Sequence, residues 1–431
     1  MKIAIAGAGY VGLTSAVCFC ELGHRVSLIE IDPGRLGDLQ AGHSPIFEPG
    51  VPELLLAHRQ SGALTVTDSL QAAVDGAGAL FVCVGTPPRA SGAPDLTALR
   101  HLIGQIGQVE LSPDLVVVLK STVPPGTNRW ARSALGLPNP VVSNPEFLRE
   151  GTAIADFFQP DRIIVGGPDH EALLRVAGLY APIEAPLLLT DWEEAELIKY
   201  ATNGFLALKI SYANEIASLA EAIGADGLQI LTGLGLDHRV GPAFLKPGPG
   251  YGGSCLPKDL AALRWKARQQ GVRLELLPAA ERVNQRQRER LIDRLRAELG
   301  GLAGTRIAVW GLAFKAGTDD LRGAASATVI PALLQEGAEV RAHDFAALTA
   351  FEQLCPPEQC SGLRLTQKPL EALHEADALL LLTEWPAYAE IPPEAIQQAM
   401  RGDLVLDARN LLDGVAVRKV GLRYRGIGRG R

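Results

Sequence analysis

The sequence predicts an α/β protein: two Rossmann-like, doubly wound parallel-sheet domains joined by a helical central domain with a long connecting helix. Three observations carry this. Short β-rich runs alternate with helical patterns over residues 1–190. An unbroken helical period then runs from Asp191 to about Ala222. Finally, four segments of the first part recur, in order, in the last.

The first-part strands are expected at Lys2–Ala6, Arg25–Glu30, Leu80–Val84, Val116–Lys120, Val141–Ser143 and Ile163–Val165. Several are apolar on both faces, as in strands covered by helices on each side. In the long helix, Trp192, Ala195, Ile198, Thr202, Phe205, Leu208, Tyr212, Ile216 and Leu219 keep helical spacing without a proline. Asp191 can cap its start, with Glu193 and Glu194 in the first turn. A mostly helical stretch follows, broken by the Gly/Pro-rich Gly241–Gly253, and ends near Leu299-Gly300-Gly301. Beyond it, Ile307–Ala313 repeats Ile3–Gly9, Val340–Asp344 repeats Val26–Glu30, Glu375–Leu382 repeats Asp75–Val84, and Gly402–Asp407 repeats Asp114–Lys120. One such match arises by chance; four in order imply a second doubly wound unit. The expected division is therefore 1–190, 191–300 and 301–431, with ligands at the carboxyl ends of the sheets.

Bulk properties narrow the function. A chain of 431 residues is too long for one ordinary core. Its 47% hydrophobic and 21% charged residues fit a globular protein rather than a disordered one. A net charge of −7 with no concentrated basic face argues against nucleic acid as a partner. The basic tail Arg418–Arg431 reads as a solvated end. Met1-Lys2 leads straight into an apolar strand with no leader pattern, and no apolar run nears the ~18–20 residues that cross a bilayer. A cytoplasmic protein without a membrane partner is expected. The six cysteines show neither CxxC pairs nor zinc spacing, so no metal is expected. Cys18, Cys20 and Cys83 lie in apolar stretches and read as small core residues. A disulfide between Cys355 and Cys360 is disfavoured in a reducing compartment.

Gly7-Ala8-Gly9-Tyr10-Val11-Gly12 follows a strand and opens a helix. Its glycines permit a tight turn, close approach of a pyrophosphate and close helix packing, while the helix start offers free N–H groups. Glu30 ends the second strand, where a carboxylate accepts from both ribose hydroxyls and repels a 2′-phosphate, favouring NAD over NADP. Asp32 is a second candidate for that role, and Arg35 can stack on or pair with the adenosine end. Thr86 and the pair Ser121-Thr122 each follow a strand, where nicotinamide and substrate would meet; capping the next helix is the alternative.

The segment Gly248–Asp259 is the most informative. Glycines at 248, 250, 252 and 253 let backbone approach a bulky ligand. Cys255 precedes an expected helix, Pro257–Gln269, whose dipole favours a thiolate; Lys258 adds positive charge, and Asp259 lies one turn on. A nucleophile fits this setting better than a packing cysteine. Lys199 and Asn203 share a face of the long helix at i, i+4, either as functional groups or as a snorkelling lysine beside an exposed amide. Glu146 and Glu150 follow another strand end and read equally as surface charges.

These residues together resemble the UDP-glucose/GDP-mannose dehydrogenase family. The likeness rests on the glycine turn, Val84-Gly-Thr-Pro87, Ser121–Thr127, Asn144–Gly151, Glu196–Ala217, Gly250–Asp259 and Gly311–Arg322, and runs from residue 1 to beyond Asn410. It implies a four-electron oxidation of a sugar's primary alcohol with two NAD⁺, through a thiohemiacetal and a thioester on Cys255. By the same likeness, Lys199 and Asn203 steady the oxyanion, Asp259 manages the proton of water with Lys199, and Thr122 and Glu146 bind that water. Glu150, Lys258 and Arg322 resemble cofactor contacts. Phe244, Leu245 and Lys246 are similar to the loop over the sugar, and Phe147, Leu148, Tyr251, Gly252 and Phe314 fall in the substrate-binding motifs. Lys315 and Arg409 resemble contacts to the nucleotide, and Arg239 an arginine given across a dimer interface, so a homodimer is implied. Residues 1–190 would then be the NAD-binding domain, 191–300 the dimerisation domain with the cysteine loop, and 301–431 the nucleotide-sugar-binding domain. UDP-glucose is the favoured substrate and GDP-mannose the alternative. A two-electron hydroxyacid-type dehydrogenase and a non-catalytic nucleotide sensor are the rival functions. The chain lacks the family's usual proline near Ala325, which bears on local stability.

Overall fold

A computed structural model describes residues 1–356 and 360–430. The described residues fall into two compact units, 1–202 with 261–272, and 203–260 with 273–431. The expected middle segment, 191–300, is shared between them, because the helices Trp192–Ala222 and Leu256–Gln269 each begin in one unit and end in the other.

The first unit holds β1 (Lys2–Ala6), β2 (Arg25–Ile29), β3 (Leu64–Thr67), β4 (Ala79–Val82), β5 (Val116–Leu119), β6 (Val141–Ser143), β7 (Ile163–Gly166) and β8 (Leu187–Thr190), in the order β3-β2-β1-β4-β5-β6-β7-β8. Reversal of direction beside β1 creates the switch point at which doubly wound sheets bind ligands. Apolar side chains alternate to the two faces and pack into two layers, one around Phe19, Phe81, Phe157 and Tyr180, the other around Leu80, Leu99, Ile103 and Leu119. The sheet departs from the all-parallel expectation at one place: β6 meets β7 antiparallel through the pair Ser143↔Gly166. The connection from β6 to β7 carries the loop with Glu146 and the short helix Ala153–Phe158.

The second unit holds β9 (Arg306–Trp310), β10 (Glu339–His343), β11 (Leu363–Leu365), β12 (Ala378–Leu381), β13 (Leu404–Asp407) and β14 (Arg423–Gly426), all parallel, in the order β11-β10-β9-β12-β13-β14. The four sequence repeats therefore occupy equivalent strands: β1 and β9, β2 and β10, β4 and β12, β5 and β13.

Two expectations are corrected in this unit. Within the basic tail, Arg423–Gly426 forms an edge strand rather than a solvated end, Arg431 lying outside the described residues. Alternation buries Tyr424, while Arg423 pairs with Glu298 and Asp403, and Arg425 with Glu298. Cys355 and Cys360 are joined in a disulfide, their Cα atoms 5.8 Å apart, within the span such a bridge requires. The helix Ser326–Gln335 forms without the family's proline and without a side-chain cap; the Ser326 hydroxyl donates instead to the Leu312 carbonyl.

Candidate active site

In the first unit, the glycine turn between β1 and the helix Tyr10–Glu21 is built for close approach. A Cβ on Gly12 would lie 1.8 Å from the Gly7 carbonyl oxygen, so only glycine lets the helix seat on the turn. Gly7 has φ +99° and backs onto the Cys83 carbonyl. A Cβ on Gly9 would meet nothing within 4 Å, leaving open space over the helix start. That space, with the N–H groups of Tyr10 and Val11, fits a pyrophosphate. Glu30 is buried at the end of β2, and its Oε1 accepts from the Ile31 and Asp32 N–H groups at 2.8 and 2.9 Å. These residues fit NAD. Asp32 is otherwise engaged: its carboxylate caps the helix Pro33–Ala41 by accepting from the Arg35 N–H at 2.9 Å, and the Arg35 side chain is exposed.

Sequence reasoning missed Glu48. Its buried carboxylate accepts from the Tyr10 hydroxyl and from the Gly151 and Ala153 N–H groups, tying the glycine turn to the loop that bears Glu150. Burial and the Glu48 carboxylate raise the Tyr10 phenol far above its ordinary range. Thr86 and Ser121 cap no helix; Thr86 donates to the Thr122 carbonyl at 2.8 Å, and Ser121 to the Val84 carbonyl at 2.7 Å. Both hydroxyls stitch together the loops at the carboxyl ends of β4 and β5.

Glu146 is not a surface charge. Its Oε1 lies 3.0 Å from Lys199 Nζ, and its Oε2 accepts from the Leu148 N–H at 2.7 Å. Burial pushes the carboxyl up, but Lys199, the Leu148 N–H and Lys120 more than offset that, holding it below the ordinary glutamate value. The Phe147 ring lies 5.2 Å from Lys199 Nζ and 3.7 Å from the Arg162 guanidinium. Leu148 packs against the core. Glu150 is half-buried. Three residues before Lys199, Glu196 accepts from the Gly126 and Asn128 N–H groups at 2.6 and 2.7 Å; burial pushes its carboxyl up to about 7. It anchors the far end of the Ser121–Thr127 loop, and sequence reasoning missed it because its partners lie some 70 residues away.

In the second unit, Cys255 is half-buried and immediately precedes the helix Leu256–Gln269, its carbonyl accepting from the Asp259 N–H at 2.8 Å. The remaining free cysteines, Cys18, Cys20 and Cys83, are buried, and burial pushes each thiol up to about 12. Asp259 is buried and held on both oxygens: Asn203 donates to Oδ2 at 2.6 Å and Lys258 to Oδ1 at 2.6 Å. Lys258 thus spends its charge on Asp259. The loop before Cys255 is pinned by the helix Leu276–Leu299, whose Asn284 accepts from the Tyr251 N–H at 2.6 Å and donates to its carbonyl at 3.0 Å. Gly252 packs against Gly323, where a Cβ would lie 2.3 Å from the carbonyl oxygen, and Gly253 donates to the Arg322 carbonyl at 2.7 Å. The Arg322 side chain pairs with Asp320.

Phe244 adopts φ +64°, a left-handed conformation costly for a bulky side chain, and Lys246 beside it is exposed. The Leu245 side chain packs in the core with Ala213 and Leu231. Arg409 follows β13 and donates to the carbonyls of Leu382 and Phe314 at 2.8 and 2.6 Å, binding three strand-end loops together. Lys315 Nζ lies 5.5 Å from the Phe314 ring centroid. Arg239 is exposed and pairs with Asp237. Among the described residues no cluster of His, Cys, Asp and Glu could hold a metal ion, and no helix is long and apolar enough to cross a membrane.

A dinucleotide turn on one doubly wound sheet and a second sheet of the same winding define a dinucleotide-dependent oxidoreductase, and a half-buried cysteine opens a helix that carries a clamped carboxylate. The chain belongs to the UDP-glucose/GDP-mannose dehydrogenase family: residues 1–184 match its NAD binding domain, 193–286 its central domain and 308–414 its UDP binding domain. It is 42% identical to a UDP-glucose 6-dehydrogenase of Pseudomonas aeruginosa, covering 100% of this chain and 98% of that one. It is 41% identical to one of Rhizobium meliloti, covering 100% of both. The solved structure of a UDP-glucose dehydrogenase from Pyrobaculum islandicum superimposes with a TM-score of 0.89 at 36% identity, covering 99% of this chain and 97% of that one.

Proposed function

We propose that the protein oxidises UDP-glucose to UDP-glucuronate in two successive two-electron steps, with Cys255 as the covalent nucleophile. The observation that carries this reading is the half-buried Cys255 at a helix start, one turn before an Asp259 held by Asn203 and Lys258. NAD⁺, when bound, takes one hydride in each oxidation. The first oxidation turns the C6 alcohol into an aldehyde, which is itself a poor hydride donor. The Cys255 thiolate adds to its carbon, and the resulting thiohemiacetal is an alcohol-like donor again. Its oxidation leaves a thioester, and water then releases the carboxylate and the thiol. Lys199 and Asn203 steady the oxyanion formed on addition, Asp259 takes the proton of the attacking water, and Glu146 with Thr122 holds that water. Lys315 and Arg409 face the nucleotide end, and Phe244, Lys246 and Tyr251 the sugar.

The active species is a homodimer of the cytoplasm. Phe205, Tyr212 and Leu219 stand exposed at seven-residue spacing on the helix Trp192–Ala222, with Ile223 exposed just beyond, an apolar stripe suited to a second copy.

The test is a panel of UDP-glucose, GDP-mannose and UDP-N-acetyl sugars with NADH counted per mole consumed. Two NADH per UDP-glucose and loss of acid formation in Cys255→Ser are expected. One NADH per substrate, or full turnover by Cys255→Ser, overturns the reading.

A further inference from the structure

Lys120 immediately follows the apolar strand β5 and is almost completely buried, 4% exposed. Its ammonium donates to two neutral oxygens, Asn144 Oδ1 at 3.1 Å and the Tyr180 hydroxyl at 3.2 Å, and lies 5.7 Å from the centroid of the Tyr180 ring. Tyr180 donates in turn to Asn144 Oδ1 at 2.7 Å, and Asn144 Nδ2 to the Ile164 carbonyl at 2.8 Å, so every member of the cluster is fixed. A buried ammonium on neutral partners is expensive, and a methionine of similar length would fill the space without that cost. Its location is specific. Lys120 immediately precedes Ser121-Thr122, and Asn144 stands two residues before Glu146. The bond between them therefore joins the loop after β5 to the loop after β6.

We propose that Lys120 is a positioning residue for release of the acid: through Asn144 and Tyr180 it fastens the Thr122 loop to the Glu146 loop, so that the two residues stay in register around the attacking water. The inference rests on the proposed thioester chemistry. The charged and titratable groups that face Lys120 are Glu146 beyond Asn144, Lys199 on the long helix, Cys83 after β4, Cys18 on the first helix and Tyr180. Burial lowers the Lys120 ammonium to about 8, so it is charged at neutral pH and titrates just above it. Lys199 touches Glu146 directly, whereas Lys120 acts on it through the backbone of Asn144–Glu146 and through space.

The test replaces Lys120 by methionine in the full-length protein and follows the two oxidations and the hydrolysis separately. In Lys120→Met, kcat for acid formation should fall about 10- to 100-fold, while KM for NAD⁺ stays within about twofold, a split that general loss of structure does not produce. Intact-mass analysis during turnover should find the sugar acyl group accumulating on Cys255, because the thioester forms but hydrolyses slowly. The acid limb of the kcat profile should move up, because Lys120 is one of the cations that hold the Glu146 carboxyl down. Tyr180→Phe, which removes one of the two oxygens at nearly constant volume, should show the same adduct to a lesser extent, and it decides the matter if Lys120→Met does not fold. Unchanged kcat in a folded Lys120→Met, or slow turnover with no acyl adduct in either variant, overturns the inference. Wild-type protein that makes no acid from any nucleotide sugar would instead sink the parent reading, so the two failures are told apart.

Discussion

Lys199 Nζ and Glu146 Oε1 stand 3.0 Å apart with both side chains about 5% exposed, a buried ion pair joining the long helix to the loop after β6. Removing one partner of such a pair leaves a charge in a medium that cannot solvate it, which costs about 3–5 kcal/mol. Lys199→Met should be destabilised by that amount in urea unfolding, and the double variant Lys199→Met/Glu146→Leu should recover much of it. Acid should act through the same pair. Glu146 is held below the ordinary glutamate value, so its stabilisation is complete above roughly pH 4.3 and lost as pH falls through its lower folded value. Glu146→Gln should therefore lose less stability than wild type between neutral pH and acid. Equal slopes would mean that the pair contributes nothing.

Cys255 should be alkylated before any other cysteine. It is half-buried at a helix start, whereas Cys18, Cys20 and Cys83 are buried and their thiols pushed up to about 12. Iodoacetamide at neutral pH should modify Cys255 at least about 10-fold faster than these three, judged by peptide mass spectrometry over time. Comparable rates at Cys255 and Cys83 would count against a reactive thiolate.

Both sheets were legible because β1, β4, β5 and their counterparts β9, β12 and β13 are buried on both faces and read as short apolar runs closed by glycine or a charge. β3 and β8 were not. Leu64–Thr67 alternates with threonine, and Leu187–Thr190 is an edge strand with two exposed leucines, so neither shows a continuous core pattern. The glycine turn and the Cys255 segment were legible because their chemistry is local in sequence. Glu48, Lys120 and Glu196 were not, since each acts on partners between 24 and 105 residues away. Lys120 did leave a trace, a lysine immediately following a wholly apolar strand. The basic tail misled because its compensating acids, Glu298, Asp403 and Asp226, lie elsewhere in the chain.

Two glycines of the same turn should fail in different ways. Gly12→Ala places a methyl 1.8 Å from the Gly7 carbonyl oxygen, which neither the turn nor the helix can yield to. The variant should be poorly folded, with a lowered thermal midpoint. A methyl on Gly9 meets nothing in the protein, so Gly9→Ala should fold like wild type. It should still bind NAD⁺ about 10-fold or more weakly, because the methyl occupies the space a pyrophosphate needs. Calorimetric titration beside thermal unfolding separates the two effects. Undiminished affinity in Gly9→Ala would place the cofactor elsewhere.

The exposed stripe Phe205, Tyr212 and Leu219 makes the proposed dimer testable in two stages. Tyr212→Lys places a charge in the middle of the stripe and should weaken association about 100-fold, seen by analytical ultracentrifugation as monomer at micromolar concentration. Arg239 carries the second stage, because it is exposed and pairs with its neighbour Asp237. If it serves the partner's site, Cys255→Ala and Arg239→Ala are each inactive or nearly so alone, yet complement when mixed. A hybrid dimer then has one site that combines an intact Cys255 with an intact Arg239 from across the interface. With random exchange about half of the dimers are hybrid, so activity should rise to about a quarter of wild type. If Arg239 serves its own protomer, the hybrid has no complete site, and mixing should restore nothing.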